Sequence, residues 1–550
     1  MSATRSIPFG NRLGFGNGAS RGEYFFSQGM QRSLFGVMTG YNIFKLKDSD
    51  QLSGMGNIKG FADANGVQFA VDDTGRIFKE ATPGVGDFAQ DRNPGAGYAG
   101  QGLIGDQKGR LLYFAATAIG MRDTAGVYTD SWKTGLTDYA HPADTYEGMT
   151  VFGNKNTVGI LDSADAMNLN AFDVPSSVNI DCVSSGKNGV LLGANLGTRG
   201  ILMLWNTLTT RSLAPWIWTS GKVQSIARTD DGWIVVTQKA ILWTNGYSAK
   251  PLFELLDDPL GFGNWTVAAN GSLVISRKLF VLNQGNGYAR LRSGVYIFDL
   301  VTGTFDFVPV STQNVASAVP LAIFAAKASA GIQEIFVGYR DSFLGKNYIG
   351  SLIQAGGQIA QYYSEIISAG SKTKPAVGVV LNLGLGTVLS SVQNLSMNIA
   401  VKLYNFERPL WGVNVTTAEL TTTTLQVNGT TAGLTRASVG DEITVLEGLN
   451  AGLSRHVTAI TNAGQLNETW TLDAALPNAT ETNVHISVQP FVLLERKTIT
   501  SPADLPEMYF NARGRSKGKR FLAKVVIDSA NAQVELHPSE FLCEDIGHTQ

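Results

Sequence analysis

Five cations fall within eight residues near the end of the chain: Arg513, Arg515, Lys517, Lys519 and Arg520, in the text ARGRSKGKRF. Alternate basic side chains on a glycine-broken stretch cannot neutralise one another, so they stay solvated or meet an anion. Nucleic-acid phosphate is one such anion, and binding to it would weaken steeply with salt. An acidic patch on a partner subunit is another. No aromatic residue is interleaved with the basic ones, which argues against base stacking. These five residues are therefore the candidates for contact with phosphate or with a partner.

Other chemistry finds little support. Glycoside hydrolysis needs two placed acids flanking a sugar bond, and acidic doublets occur at Asp72–Asp73, Asp230–Asp231 and Asp257–Asp258. Each sits at a strand end or in a loop, where Asp commonly caps a turn. A sialidase-type box is missing, and TDDGWIVV from Thr229 only echoes it. The five histidines, His141, His456, His485, His537 and His548, lack metal-ligand spacing. Gly18–Gly22 reads GASRG and matches the nucleophile-elbow pattern at Ser20. An elbow must lie between a buried strand and a helix, and this text lies in a glycine-rich arm. FLGKN at Phe343–Asn347 lacks the hydroxyl residue and glycine register of a phosphate loop. The expectation is a protein that is not an enzyme, with no catalytic residue, metal or cofactor. Trp233 and Trp243 lie inside apolar strands and read as core. Trp216 and Trp218, in APWIWTSG, are less strand-bound and are candidates for an exposed sugar platform.

The elements that must carry these residues are short apolar strands. VQFAV from Val67, LLYFA from Leu111, MTVFG from Met149, VLLGA from Val190, WIVVT from Trp233 and SLVIS from Ser272 follow one another at about 40 residues, and EIFVG from Glu334 comes after a longer step of about 60. A period near 40 is that of propeller blades. Most strands have a near partner across Gly, Asn or Asp, residues that tolerate the positive φ of tight hairpins. GVYIFDLVTGTFDFVPV from Gly294 reads as the outer hairpin of a blade. A lone hairpin is marginal in water, whereas four-stranded sheets packed face to face around an axis bury both faces. Residues 41–375 are thus expected to form a β-propeller of five to seven blades, with β-sandwiches as the alternative.

Around it, residues 1–40 read as an extended arm, rich in Arg, Gly and Phe, packed on the chain's own propeller or on a neighbour. Residues 415–488 read as a small self-contained β-domain inserted into a C-terminal β-domain made of 376–414 and 489–550; tandem order is the alternative. The fold class is all-β: an irregular propeller, then a sandwich-like domain carrying a small inserted barrel. The length of 550 residues suits several such units. The net charge of −2 draws the chain to neither nucleic acid nor membrane. Cys182 and Cys543 are too few for a disulfide framework or a cysteine zinc site. The first residues lack the apolar core of a secretory signal, and no apolar run reaches the roughly 18 residues of a membrane span.

In its organisation, the blade series from Val67 to Tyr339, the arm, the terminal EMYFNARGRSKGKRFLAKVVI and the block from GDEITVLEG to TWTLDAALP, the chain resembles the tail nozzle, or tail tube hub, proteins of short-tailed bacteriophages. The resemblance implies a homo-hexameric ring beneath portal and adaptor proteins, a channel that conducts DNA without sequence preference, and an exterior that carries fibres or spikes. It implies a virion protein assembled in the host cytoplasm that helps retain and eject the genome. A glycan-binding or glycan-cleaving receptor-binding propeller is the alternative, and a monomeric scaffold propeller is a third.

Overall fold

A computed structural model describes the strands of residues 1–47, then 55–82, 87–95 and 102–255, most of 264–308, and from 310 to 545 the strands with many of their turns. Every regular element among these residues is a strand.

Seven four-stranded antiparallel sheets follow one another among the described residues. We number them as blades 1 to 7: 58–92, 102–134, 143–173, 179–219, 223–254, 272–308, and 318–355 completed by Ile43–Lys47. In blades 1 to 6 the chain runs as a simple meander from the innermost strand to the outermost. Each innermost strand packs on that of the next blade, and Ala318–Lys327 of blade 7 packs back on Ile58–Ala64 of blade 1. The result is a closed ring. The outermost strand of blade 7 comes from the far end of the sequence, where Ile43–Lys47 pairs with the strand Lys346–Ala355.

The reason for continuous apolar strands lies in the seams between blades. In a strand, successive side chains face opposite sides of the sheet. Inside a propeller both sides are seams. Leu191, Leu202, Leu204, Trp233, Val235 and Leu242 fill the seam between blades 4 and 5. Their chain neighbours Val190, Leu192, Ile201, Met203 and Trp205 fill the seam between blades 3 and 4, while Ile234 and Val236 belong to the core that blade 5 shares with blade 6. Burying such a side chain contributes roughly 1.5–3 kcal/mol, so every blade is fixed from both sides.

Hairpin turns repeat one chemistry. Asp72, Asp106 and Asp162 each accept, through Oδ1, the backbone N–H groups two and four residues ahead. Asp123 accepts the one four ahead. The residue three ahead has positive φ: Gly75, Gly109 and Gly126, but Asp165 in blade 3.

The other described strands form two large sheets, a barrel, and a two-stranded parallel pairing of Gly14–Phe15 with Glu23–Tyr24. One sheet runs in the order Met508–Asn511, Ala376–Thr387, Val534–Asp545, Met38–Thr39, Gln31–Arg32; Thr4–Phe9 also pairs with Val534–Asp545. The other runs Phe26–Gln28, Ile359–Tyr363, Arg520–Ser529, Met397–Asn405, Phe491–Ile499. Tyr362, Leu381, Val401, Val525 and Phe541 share one buried core that continues into blades 5 and 6. Between the paired strands Met397–Asn405 and Phe491–Ile499 lies a closed six-stranded barrel, 415–489, around Trp470.

One boundary and one strand alignment differ from the sequence reading. Ile359–Tyr363 and Ile367–Ser368 pair with Arg520–Ser529 in the second sheet, not with a blade. The propeller therefore ends at 355 rather than 375, because hydrogen bonds to a distant strand override the local pattern. SLVIS is the innermost strand of blade 6, whereas the apolar strands aligned with it from other blades are second strands. The second strand of blade 6 is Lys278–Asn283, which removes part of the long step in the period.

Candidate interaction surfaces

Two members of the basic run, Lys517 and Arg520, are described, and they stand on strands of the two different sheets of the sandwich. Met508–Asn511 and Lys517–Gly518 edge the first sheet on Ala376–Thr387, with Lys517 opposite Val377. Arg520 begins a strand of the second sheet, opposite Ser368, and is exposed. Arg513, Arg515 and Lys519 lie outside the described residues. Four strands of residues 4–47 are held by the sandwich and by blade 7, Thr4–Phe9 and Met38–Thr39 on Val534–Asp545, Phe26–Gln28 on Ile359–Tyr363, and Ile43–Lys47 as above; Gly14–Phe15 pairs with Glu23–Tyr24. Ser20 lies outside the described residues.

The carboxylate doublets among the described residues serve turns. Asp72 Oδ2 accepts Gly56 N at 2.7 Å, and Asp73 accepts Asn57 N at 2.9 Å and Nδ2 at 2.7 Å. Asp230–Asp231 sits in a turn closed by Thr229 N donating to Gly232 O. Asp257–Asp258 lies outside the described residues. Asp144, on the innermost strand of blade 3, accepts Ser185 N at 2.7 Å and Oγ at 2.9 Å through Oδ2, tying blade 3 to blade 4. Burial raises its pKa although Ser185 favours the charged form. Between blades 2 and 3, Asp165 takes Arg110 and Lys108, each at 2.8 Å; the Arg110 hydrogen bond is the main reason its pKa falls to about 2. Between blades 1 and 2, Arg92 meets Asp130 and Arg122 meets Asp91.

His141 is fully buried, its Nδ1 2.9 Å from Gly153 O, and burial lowers its pKa. Among the described residues no group of three or more His, Cys, Asp or Glu side chains is placed to hold a metal ion. Both cysteines are buried and neither forms a disulfide.

One charged cluster escaped the sequence reading. Lys402 and Lys524 stand opposite each other on paired strands of the second sheet. Their ammonium groups reach Glu442 of the barrel at 2.8 and 2.9 Å, and all three side chains are buried. His456, opposite Glu442 in the barrel, is buried too, and Arg496 meets Asp473 beside it at 3.0 Å. Burial lowers the pKa of Lys402 to about 8 despite the attraction of Glu442. Burial alone would raise that of Glu442, but Lys402 and Lys524 outweigh it and hold it below its ordinary range. Burial, then Lys402, lowers that of His456. The cluster locks the barrel to the sandwich and is closed to solvent. Its only sequence signal is a lone lysine in each of two apolar strands, NIAVKLY and RFLAKVVI.

The tryptophans divide. Trp233 is fully buried, and Trp243 packs partly buried against the core. Trp216 and Trp218 are 36% and 49% exposed on the outer wall of blade 4, with ring centroids 6.5 Å apart and planes inclined at 55°.

No family model and no curated protein sequence matches this chain. Among solved structures it is similar to a catalytically inactive virginiamycin B lyase from Staphylococcus aureus with quinupristin: TM-score 0.44, 14% identity, covering 57% of this chain and 100% of that one. It is also similar to the WD40 domain of Pan2 from Neurospora crassa: TM-score 0.39, 9% identity, covering 54% of this chain and 89% of that one. At these identities the likeness is one of fold.

Proposed function

We propose that the protein is a structural subunit of a short-tailed bacteriophage tail, a nozzle or hub whose copies close a ring, six in number. In this reading the ring extends the DNA channel, helps retain and eject the genome, meets adaptor or portal-proximal proteins axially and carries fibres or spikes outside. The observation that carries it is the threading of the chain's beginning. Strands from residues 4–47 complete blade 7 and extend both sheets of the sandwich. Propeller and sandwich are thereby stitched by backbone hydrogen bonds, as a part that bears load between neighbours requires. The acidic doublets within the described residues serve turns, which leaves interfaces as the working parts. The basic run at 513–520 is where DNA or an acidic partner would touch.

Electron microscopy of the purified chain and of the particle tests this. Closed rings are expected; a monomer both in solution and in the particle overturns the reading. Reversing Lys517, Lys519 and Arg520 to Glu is expected to impair assembly or DNA passage, and unchanged assembly and infectivity would make the run a passive surface. The exposed Trp216 and Trp218 favour a second reading, a propeller that binds glycans. It requires polysaccharide binding that Trp216→Ala abolishes.

A further inference from the structure

The barrel's strands have an inner and an outer face. Ile443, Val445 and Val457 belong to the core around Trp470. Side chains next to them in the chain point the other way. Glu442 and His456, opposite each other on the paired strands Glu442–Val445 and Ser454–Thr461, therefore share the barrel's outer wall. Both are nevertheless buried, at 0% and 3% exposure, because the second sheet of the sandwich lies against that wall and sends Lys402 and Lys524 to it.

His456 is placed so that it cannot take a second proton without cost. Its Nδ1 lies 3.1 Å from Gly440 O. A carbonyl oxygen only accepts, so Nδ1 carries the proton and Nε2 the lone pair. Nε2 is buried and has no hydrogen-bond partner among the described residues. A proton added there makes an N–H with no acceptor in a site closed to water.

The neighbouring charges do not offset that cost. The sandwich supplies Lys402, Lys524 and Arg496, and the barrel supplies Glu442, Asp473 and Asp441. Each of these carboxylates already has partners. Glu442 takes both ammonium groups. Asp473 accepts His456 N at 2.8 Å through Oδ1 and meets Arg496 at 3.0 Å through Oδ2. Asp441 Oδ2 accepts Ser438 N at 2.8 Å. Arg455, next to His456 in the chain, donates to the carbonyls of Ala474 and Ala475. An imidazolium would thus stand as a further cation beside Lys402.

We propose that His456 is the trigger of an acid-opened latch: on its protonation the barrel leaves the second sheet as a folded unit and the junction opens to water. The layout of the chain permits this. Among the described residues the barrel's strands pair only with one another, around their own apolar core. Only residues 406–414 and residue 490 join them to the strands Met397–Asn405 and Phe491–Ile499. The sign follows from the docked state, in which burial first and Lys402 second hold His456 below its ordinary 6.5, although Glu442 pulls the other way. The released form binds the extra proton more readily, so docking weakens as pH falls below 6.5. Lys402, at about 8, keeps its charge across this window.

Carboxyl labelling of the full chain reads the opening. A water-soluble carbodiimide with glycine ethyl ester modifies carboxylates that solvent reaches, and mass spectrometry compares Glu442 with the exposed Asp231 between pH 7.5 and 5. The ratio is expected to be lowest at pH 7.5 and to rise about tenfold per pH unit below 6.5, the slope of one proton taken up on opening. Amide exchange within Thr469–Leu472, corrected for its intrinsic rate, is expected to stay slow throughout. His456→Gln keeps a donor for Gly440 O and takes no proton, so its ratio is expected to stay flat to pH 5. Exchange of the His456 C2 hydrogen in the wild type needs no variant, and its midpoint is expected below 6.5. A ratio independent of pH overturns the latch, as does a midpoint at 6.5 or above. An equal rise in wild type and His456→Gln would move the trigger to the carboxylates and overturn it too. Fast exchange at Thr469–Leu472 accompanying the rise would mean that the barrel unfolds instead of leaving, which also sinks the proposal. None of these readouts depends on ring formation, so the latch and the ring reading stand or fall separately.

Discussion

At the seam between blades 4 and 5 the packed centre is Leu191, Leu202, Trp233 and Val235, all apolar. At the junction between barrel and sandwich it is a carboxylate, Glu442, held between Lys402 and Lys524. Apolar contact is non-directional and responds to volume. Buried ions respond to the loss of a single partner, since the survivors keep their desolvation cost without the attraction that offset it. The seam between blades 4 and 5 is thus built to be indifferent to pH and forgiving of shape-conserving change. The barrel junction is built to hold one geometry and to fail abruptly.

The largest expected effect sharpens this contrast. Glu442→Ala leaves two lysines facing each other in a buried site and is expected to cost about 3–5 kcal/mol. The loss should appear as early unfolding of the barrel, followed by Trp470 fluorescence in denaturant. Replacing all three, Lys402→Met, Lys524→Leu and Glu442→Leu, should recover much of that loss, because apolar isosteres of buried ion clusters are often neutral or better. Failure of the triple variant to improve on Glu442→Ala would mean that shape, not charge, governs the junction.

Next comes the apolar side. Leu202→Ala is expected to cost about 2–5 kcal/mol and Leu202→Met less than about 1.5 kcal/mol. Both should be insensitive to pH between 5 and 9. A pH-dependent difference between them would break the comparison.

How far each region can be read from sequence follows the same division. A seam writes itself into the chain, because both faces of WIVVT and ILMLW must be apolar, and the spacing of such strands repeats with the blades. The alignment slipped only in blade 6, where the inner strand Ser272–Ile275 is itself apolar and mimics a second strand. The lone lysines of NIAVKLY and RFLAKVVI carry meaning only once register places them opposite each other, and Glu442 lies about 40 residues from one and 80 from the other. The two- and three-residue strands of the arm leave no periodicity of their own; the sheet edges they join specify them. The exposure of Trp216 and Trp218 was legible in APWIWTSG, but the inclination of their rings depends on the fold.

A third, smaller effect is acid sensitivity. The folded state holds the pKa of Glu442 below its ordinary 4.5. Below that value the unfolded chain therefore binds more protons than the folded one, and stability falls as pH drops through the window beneath 4.5. Glu442→Gln should remove this contribution, so the gap between wild type and variant should narrow as pH falls from 6 to 3. Lys402 acts in the alkaline range. Its folded value of about 8 lies below the ordinary 10.5, so its unfavourable contribution is relieved as pH rises between them. A gap that stays constant from pH 3 to 6 would deny Glu442 its place at the centre of the junction.

The smallest effect concerns Asp165, where a blade uses charge at its surface. Its φ of 65° lies where the equivalent turns in blades 1 and 2 have glycine, a conformation that L-residues adopt at some cost and Asp more readily than most. In return its carboxylate holds Arg110 and Lys108 of blade 2. Exposed ion pairs contribute about 0–1 kcal/mol, and relief of the backbone conformation is of similar size. Asp165→Gly should therefore leave the unfolding midpoint nearly unchanged. Asp165→Ala keeps the backbone cost and loses the pairs, so it should be the less stable of the two by about 1 kcal/mol. The salt dependence separates the two terms, because wild type should lose its small advantage over Asp165→Ala as ionic strength rises. An advantage that survived high salt would make this turn resemble the buried junction, and the contrast between surface charge and buried charge in this molecule would fail.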